Sequence, residues 1–143
     1  MDFAPKFFGC DGLDGILAVE NFDLSLAKGV MLLTPFAADA QDDLTQKFVT
    51  SYQEKYGEVP NQFAADTYDA MYIIKAAAEK ANVTPDMSVS DICDAMKTAM
   101  TEISYDGLTG TGMTWSADGE PSKAPKAVVI DIAEDGTGSY KAM

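Results

Sequence analysis

The residues of this chain that could do chemistry are almost all carboxylates. Its 143 residues include 23 aspartates and glutamates and ten lysines, but no histidine or arginine, for a formal net charge of −13. Without histidine there is no Ser-His-Asp or Cys-His catalysis and no histidine-ligated zinc. Without arginine there is no bidentate clamp on phosphate or carboxylate groups. The negative charge also excludes nucleic acid and anionic membranes as expected partners, because both are bound through clustered cations.

These exclusions leave acidic binding modules, carboxylate-pair chemistry and oxygen-ligated cation sites. One acid is distinguished by its position, since Asp11 opens a glycine-rich turn, Asp11–Gly15, directly after the first apolar run of the chain. In open α/β sheets, ligands bind outside the carboxyl ends of strands, where a carboxylate can meet a cation or an ammonium group. The alternative is a turn aspartate that hydrogen-bonds its own backbone, and the local sequence favours it.

Three other patterns indicate no specific chemistry. Gly107, Gly110 and Gly112 have the reverse of the dinucleotide-binding spacing with no helix after them, so we expect a turn there. The stretch from Asp131 to Gly136 lacks the closing glutamate of a calcium loop. Any two acids could form a hydrolytic pair in space, but nothing in the sequence selects one. We therefore predict no catalytic residue, no metal site and no cofactor.

The cysteines and apolar stretches bear on the compartment. Cys10 and Cys93 form no CxxC motif, so a metal or redox role is not indicated. We expect two buried free thiols, because unpaired cysteine is among the most buried residue types, with one disulfide as the alternative. The longest apolar stretch, residues 29–38, is shorter than the ~20 residues that span a bilayer. We predict no signal peptide in this chain.

Three blocks of secondary structure must position these residues. Residues 6–36 predict a strand, a short helix and a second strand, and Val30–Leu33 is typical of a strand buried on both faces of a parallel sheet. Residues 39–104 predict three helices. The glycine-rich remainder predicts short strands at Met113–Trp115 and Lys126–Ala133. The expected fold class is therefore α/β.

The helices are marked by periodicity and by capping residues. Apolar and aromatic side chains recur at every fourth position over residues 41–56, which predicts a helix that Gly57 ends. This stripe is more typical of a core than of a ligand platform. A second helix is expected after Asn61. Ser88 followed by Asp91 is a near capping box that opens a third.

Several segments in sequence order resemble one known family. They are Gly9-Cys10-Asp11-Gly12, Lys28-Gly29-Val30, Thr34-Pro35-Phe36, Phe48-Val49-x-x-Tyr52, Tyr56-Gly57-x-x-Pro60-Asn61-x-Phe63-Ala64-x-x-x-Tyr68-Asp69-Ala70, Tyr105-Asp106-Gly107-Leu108-Thr109-Gly110 and Trp115-Ser116-x-Asp118-Gly119-Glu120. Together they resemble the C-terminal part of the leucine/isoleucine/valine-binding protein family, the type I extracytoplasmic solute receptors of ABC importers.

The resemblance implies a partial type I periplasmic-binding-protein fold. The complete fold has two α/β lobes joined by three crossover strands. Residues 1–34 would belong to the C-terminal lobe, and residues 35–112 would form the helical part of the N-terminal lobe. Residues 113–143 would cross over and return to the C-terminal lobe. The chain would then be a C-terminal fragment of a substrate-binding protein without enzymatic activity.

The resemblance also implies a ligand site and partners. Asp11 matches the acidic residue that holds the ligand amine in the inter-lobe cleft, and Phe63 matches an aromatic residue that lines it. Gly12 and Asp66 are further candidates. The implied ligand is a branched-chain or related amino acid, and the implied partner is an ABC-transporter permease. The full-length protein would be extracytoplasmic, in the periplasm or as a cell-surface lipoprotein.

Two further expectations accompany this interpretation. Apolar faces made for absent lobe elements would favour a homo-oligomer or a strand-exchanged dimer. The residues by themselves also leave a second hypothesis open, in which the chain is a self-contained acidic α/β domain. Such a domain would act as a protein-interaction module or as a carboxylate-pair hydrolase.

Overall fold

The computed structural model describes residues 4–143, in which short strands alternate with three α-helices. Three short 3-10 turns separate the first two strands. None of the helices in this range combines the length and apolarity that crossing a membrane requires. The elements are β1 (Phe8–Gly9), β2 (Met31–Thr34), α1 (Asp43–Tyr56), α2 (Gln62–Lys80), α3 (Val89–Met100), β3 (Lys126–Ile132) and β4 (Gly138–Ala142). The predicted α/β class is confirmed.

The four strands form one mixed sheet in the order β1-β2-β3-β4. Met31 of β2 pairs with Phe8 in a parallel register and with Val129 in an antiparallel one. The expectation of a parallel sheet is therefore right for β1 and β2 only, because β3 returns from the helices in the opposite direction. Burial alternates along β2, where Leu32 and Thr34 are buried and their neighbours are half-buried.

The described chain forms two compact units, residues 4–62 with 125–143, and residues 63–124. The first unit contains the sheet and α1. Its buried core lies where Leu32 of β2 packs with Val128 and Ile130 of β3. The second unit contains α3 and almost all of α2. The predicted division at residues 34 and 112, and its assignment to two lobes, remains a prediction.

Capping residues set the helix ends where the sequence predicts them. The Asp42 side chain accepts a hydrogen bond from the Thr45 N–H, which lowers the pKa of Asp42. Gly57 ends α1 with a φ of 78°, a left-handed conformation that glycine adopts without a Cβ penalty. The Ser88 hydroxyl accepts from the Asp91 N–H at the start of α3. The predictions for Gly57 and Ser88 are confirmed.

The predicted strand over Met113–Trp115 is wrong. Met113 and Trp115 make isolated bridges, to Tyr105 and Pro121 respectively, with no continuous ladder between them. The residues on either side form turns, so too few consecutive residues face a partner for a strand to form.

The predicted burial of the two cysteines is also wrong. Cys10 and Cys93 are free thiols, and both are exposed. Cys10 lies between the end of β1 and the following turn, and Cys93 lies on α3. The average tendency of cysteine toward burial is overridden here by the positions of these elements.

Candidate functional site

The turn after β1 presents Asp11 at the surface of the first unit. Asp11 opens the 3-10 turn Asp11–Leu13 and is exposed, and its Oδ1 accepts a hydrogen bond from the Gly12 N–H at 3.0 Å. The aspartate therefore bonds its own backbone, as the turn alternative predicts. No salt bridge within residues 4–143 includes Asp11. Its carboxylate lies at the carboxyl end of β1, where an α/β sheet binds ligands.

Gln62, the first residue of α2, is hydrogen-bonded to the backbone of this turn. Its side chain is buried, with 1% exposed. Its Nε2 donates to the Asp11 carbonyl oxygen at 3.2 Å, and its Oε1 accepts from the Thr34 hydroxyl at 2.9 Å. The same hydroxyl accepts from the Phe36 N–H at 3.2 Å. One buried amide thus links the turn after β1 to the end of β2.

Asp14 supports the same loop from its other end. Its Oδ2 accepts from the Gln62 N–H at 2.7 Å, and its Oδ1 accepts from the Gly15 N–H at 3.0 Å. The first N–H groups of a helix have no partner within the helix, and a negative charge there also complements the helix dipole. Gly15 has a φ of 91°, which favours glycine. Asp14, rather than Asp11, therefore anchors the loop.

Tyr140 of β4 also contacts the loop after β1. Its hydroxyl accepts from the Gly15 N–H at 3.2 Å. Burial, followed by the negative charge of Asp14, raises the pKa of Tyr140 to about 12. The phenol therefore remains neutral throughout the physiological pH range.

Phe63 and Asp66 belong to the second unit, at the start of α2. Phe63 is 46% exposed. The Asp66 carboxylate forms a partly buried ion pair with Lys123, so it already has a cationic partner within its own unit. Asp11 and Gly12 share one turn of the first unit, and a ligand-binding role for all four residues remains a prediction.

A buried carboxylate organises the second unit. Asp69 is 2% exposed and accepts hydrogen bonds from the Leu108 N–H at 2.9 Å, the Thr109 N–H at 2.8 Å and the Thr109 hydroxyl at 2.7 Å. A Cβ on Gly107 would lie 2.5 Å from its Oδ2, so only glycine fits there. Burial, followed by the charge of Asp69, raises the pKa of Tyr105.

Sequence reasoning missed the roles of Gln62, Asp14 and Asp69. Gln62 is a single polar residue in the first turn of a helix, and periodicity does not predict its burial. Asp69 and residues 107–110 each lie in a segment that carries the family resemblance. The occurrence of both segments in one chain is the sequence signal that could have linked them. Within residues 4–143, no group of three histidine, cysteine, aspartate or glutamate side chains could hold a metal ion.

The fold and these contacts can be compared with known proteins. A family model described as periplasmic binding protein matches residues 13–137, from the turn after β1 to the turn before β4. The chain belongs to this family. The match confirms the resemblance predicted from the sequence. A comparison of this periplasmic binding protein chain with curated sequences found no match.

Solved structures share the fold. A protein from Rhodospirillum rubrum assigned to branched-chain amino acid ABC transport is 26% identical, with a TM-score of 0.63 over 99% of this chain. The leucine-binding protein LivK from Thermotoga maritima is 21% identical, with a TM-score of 0.71 over 98%. A Rhodopseudomonas palustris solute-binding protein, in complex with 3,4-dihydroxybenzoic acid, is 18% identical, with a TM-score of 0.72 over 96%.

The periplasmic binding protein chain corresponds to a minor part of each of these structures. It spans 38%, 37% and 36% of their respective lengths. The remaining part of each of those structures aligns with no residue of this chain.

The Gln62 network generates a stability prediction. Gln62→Leu removes both side-chain bonds, while the Asp11 carbonyl keeps its bond from the Asp14 N–H. We therefore expect the free energy of unfolding to fall by about 1–3 kcal/mol. Urea unfolding followed by circular dichroism measures it. The matched control is Gln53→Leu, an exposed position on α1 where we expect a change within about 0.5 kcal/mol. Equal effects of the two substitutions would contradict a special role for Gln62.

The Tyr140 environment generates a pH prediction. The folded-state pKa of about 12 lies above the ordinary value of 10.0, so the neutral phenol is favoured in the folded chain. The stability that Tyr140 contributes is therefore complete below pH 10 and is lost as the pH rises through about 12. The ¹³Cζ shift of Tyr140 in a pH titration gives its midpoint directly.

Variants separate the causes of this shift. Asp14→Asn removes a neighbouring charge and should lower the midpoint, whereas Glu20→Gln removes an exposed acid elsewhere in the unit and should not. A wild-type midpoint near 10 would show that the phenol is not buried as described.

Proposed function

We propose that this chain forms part of the solute-binding protein of an ABC importer for branched-chain or related amino acids. In this proposal Asp11 receives the ammonium group of the ligand in the cleft. The supporting observation is the exposed carboxylate of Asp11 at the carboxyl end of β1. The turn that carries it is stabilised by the hydrogen bonds of Gln62 and Asp14. The family match over residues 13–137 supports a solute-binding role for the chain.

The chemistry of the turn suits an ammonium ligand. A charge-assisted hydrogen bond between a carboxylate and an ammonium group contributes about 1.5–3 kcal/mol and needs neither histidine nor arginine. The anchoring bonds use the backbone carbonyl of Asp11 and the side chain of Asp14. The loop therefore does not have to rearrange to present the Asp11 carboxylate, and pre-organisation of this kind favours binding.

The same chemistry separates amino acids from aromatic acids. The R. palustris neighbour is in complex with 3,4-dihydroxybenzoic acid, which carries no ammonium group. A carboxylate at position 11 would repel the charge of such an acid and attract the amine of an amino acid. We therefore favour amino acids, with Phe63 as an aromatic wall and Gly12 and Asp66 as further contacts.

The remaining properties follow from this role. The full-length protein would be extracytoplasmic and would deliver its ligand to an ABC-transporter permease without catalysing a reaction. In the lobe assignment, residues 1–34 and 113–143 would belong to the C-terminal lobe and residues 35–112 to the N-terminal lobe. The chain would then supply the amine-binding side of the cleft.

The test compares leucine with 4-methylpentanoate, which has the same carbon skeleton without the amine. In NMR titrations of the isotope-labelled chain, leucine should shift the amides of the turn after β1 at lower concentration than 4-methylpentanoate does. Asp11→Asn should weaken leucine binding about tenfold and abolish the preference for leucine, because the ammonium group loses its charged partner.

Glu20→Gln is the matched control. It removes one negative charge from an exposed position in the same unit, so it should leave the preference for leucine unchanged. Equal binding of leucine and 4-methylpentanoate by the wild-type chain would contradict the role of Asp11. So would shifts that do not include the turn.

We also propose that a second copy of the chain pairs with the open edge of β1, giving a homo-oligomer or strand-exchanged dimer. β1 is an edge strand with β2 as its sheet neighbour, and Phe7 and Phe8 beside that edge are 64% and 61% exposed. An exposed apolar edge strand is a template for pairing with another chain.

Light scattering tests the association. The wild-type chain should show a mass above that of a monomer at high concentration, and Phe8→Lys should lower the mass, because a charge at the edge opposes pairing. Val19→Lys alters an exposed apolar residue outside the strands and should leave association unchanged. A monomeric wild-type chain would exclude the proposed pairing.

A further inference from the structure

A pocket of about 520 Å³ lies entirely within the first unit. It is bounded by the loop after β1, by α1, by the segment before α2 and by the start of β4. Leu17, Phe36, Val49 and Val59 contribute apolar surface to its wall. The volume falls in the range of pockets that bind small organic molecules, and such pockets are mostly apolar.

The charged residues that line the pocket all have the same sign. They are Asp14, Asp39 and Glu58, and no lysine lines it. Asp14 is engaged by the backbone N–H groups of Gln62 and Gly15. Asp39 and Glu58 are exposed, and neither takes part in a salt bridge within the described residues. The mouth of an apolar pocket is therefore negatively charged.

An aromatic side chain adds to the hydrophobic part of the wall. Tyr52 lines the pocket, and its ring packs at a tilt against the rings of Phe48 and Tyr56 at centroid distances of 5.8 and 4.6 Å. A ring held by two neighbours keeps its orientation, and the face or edge that it presents can contact a hydrophobic ligand.

We propose that this pocket binds a small organic cation with a hydrophobic body, such as an arylalkyl ammonium ion. The hydrophobic body would lie against the apolar wall, and the ammonium group would lie at the mouth near Asp39 and Glu58. Asp11 does not line the pocket, so this site is separate from the proposed amino-acid site. A carboxylate on the ligand would be repelled by the three acids, which distinguishes this site from one for amino acids or aromatic acids.

The experiment uses three probes with one shared aromatic body. Phenethylammonium, 2-phenylethanol and 3-phenylpropanoate are titrated separately into the isotope-labelled full chain and followed by NMR. We expect the cation to bind at least about fivefold more tightly than the alcohol, and the anion to bind most weakly. The shifted amides should include those of residues 15, 17, 18 and 138–140, which line the pocket.

Variants assign the charge effect to the mouth. The double variant Asp39→Asn/Glu58→Gln should weaken binding of the cation about fivefold or more and leave binding of the alcohol unchanged. The matched control Glu20→Gln/Glu54→Gln removes two exposed acids of the same unit that do not line the pocket, and it should leave the preference for the cation intact.

Three results would overturn the proposal. The first is equal affinity of wild-type chain for the cation and the alcohol. The second is a set of shifted amides confined to residues 63–124. The third is that Asp11→Asn weakens binding of the cation as much as the double variant does, because the cation would then bind at the turn after β1.

Discussion

The first unit depends on the buried side-chain amide of Gln62. A buried amide that loses a partner costs free energy, so both of its ends must be bonded at once. Here one end contacts the Asp11 carbonyl and the other contacts the Thr34 hydroxyl, while the backbone N–H of the same residue is bonded to Asp14. The turn after β1, the end of β2 and the start of α2 therefore cannot shift independently.

The acidic residues fall into two groups according to their contacts. Asp14 and Asp69 are bonded to backbone N–H groups and hold loops, and Asp66 is paired with Lys123. Asp11, with an exposed side chain, can interact with a ligand without loss of an anchoring bond. The strong negative charge of the chain thus includes carboxylates that are structural and carboxylates that remain available at the surface.

Local features of the fold were predictable because they depend on neighbouring residues. The ends of α1 and α3 follow from Asp42, Gly57 and Ser88, whose side chains or backbone freedom act within a few positions. The strand over Met113–Trp115 was not predictable in this way, because a strand needs a continuous partner and the chain offers isolated bridges there. Asp11 was identifiable from its turn, whereas its support by Gln62 was not.

The sequence by itself determined the α/β class, the helix ends and the family, because these depend on composition, periodicity and ordered motifs. It also excluded chemistry that requires histidine or arginine. Tertiary structure alone decided that β2 lies between a parallel and an antiparallel neighbour. It also decided that Gln62 is buried beside a loop more than forty positions away, at a sequence separation of 48 to 51. Contacts over such separations depend on how elements pack, and no local pattern specifies them.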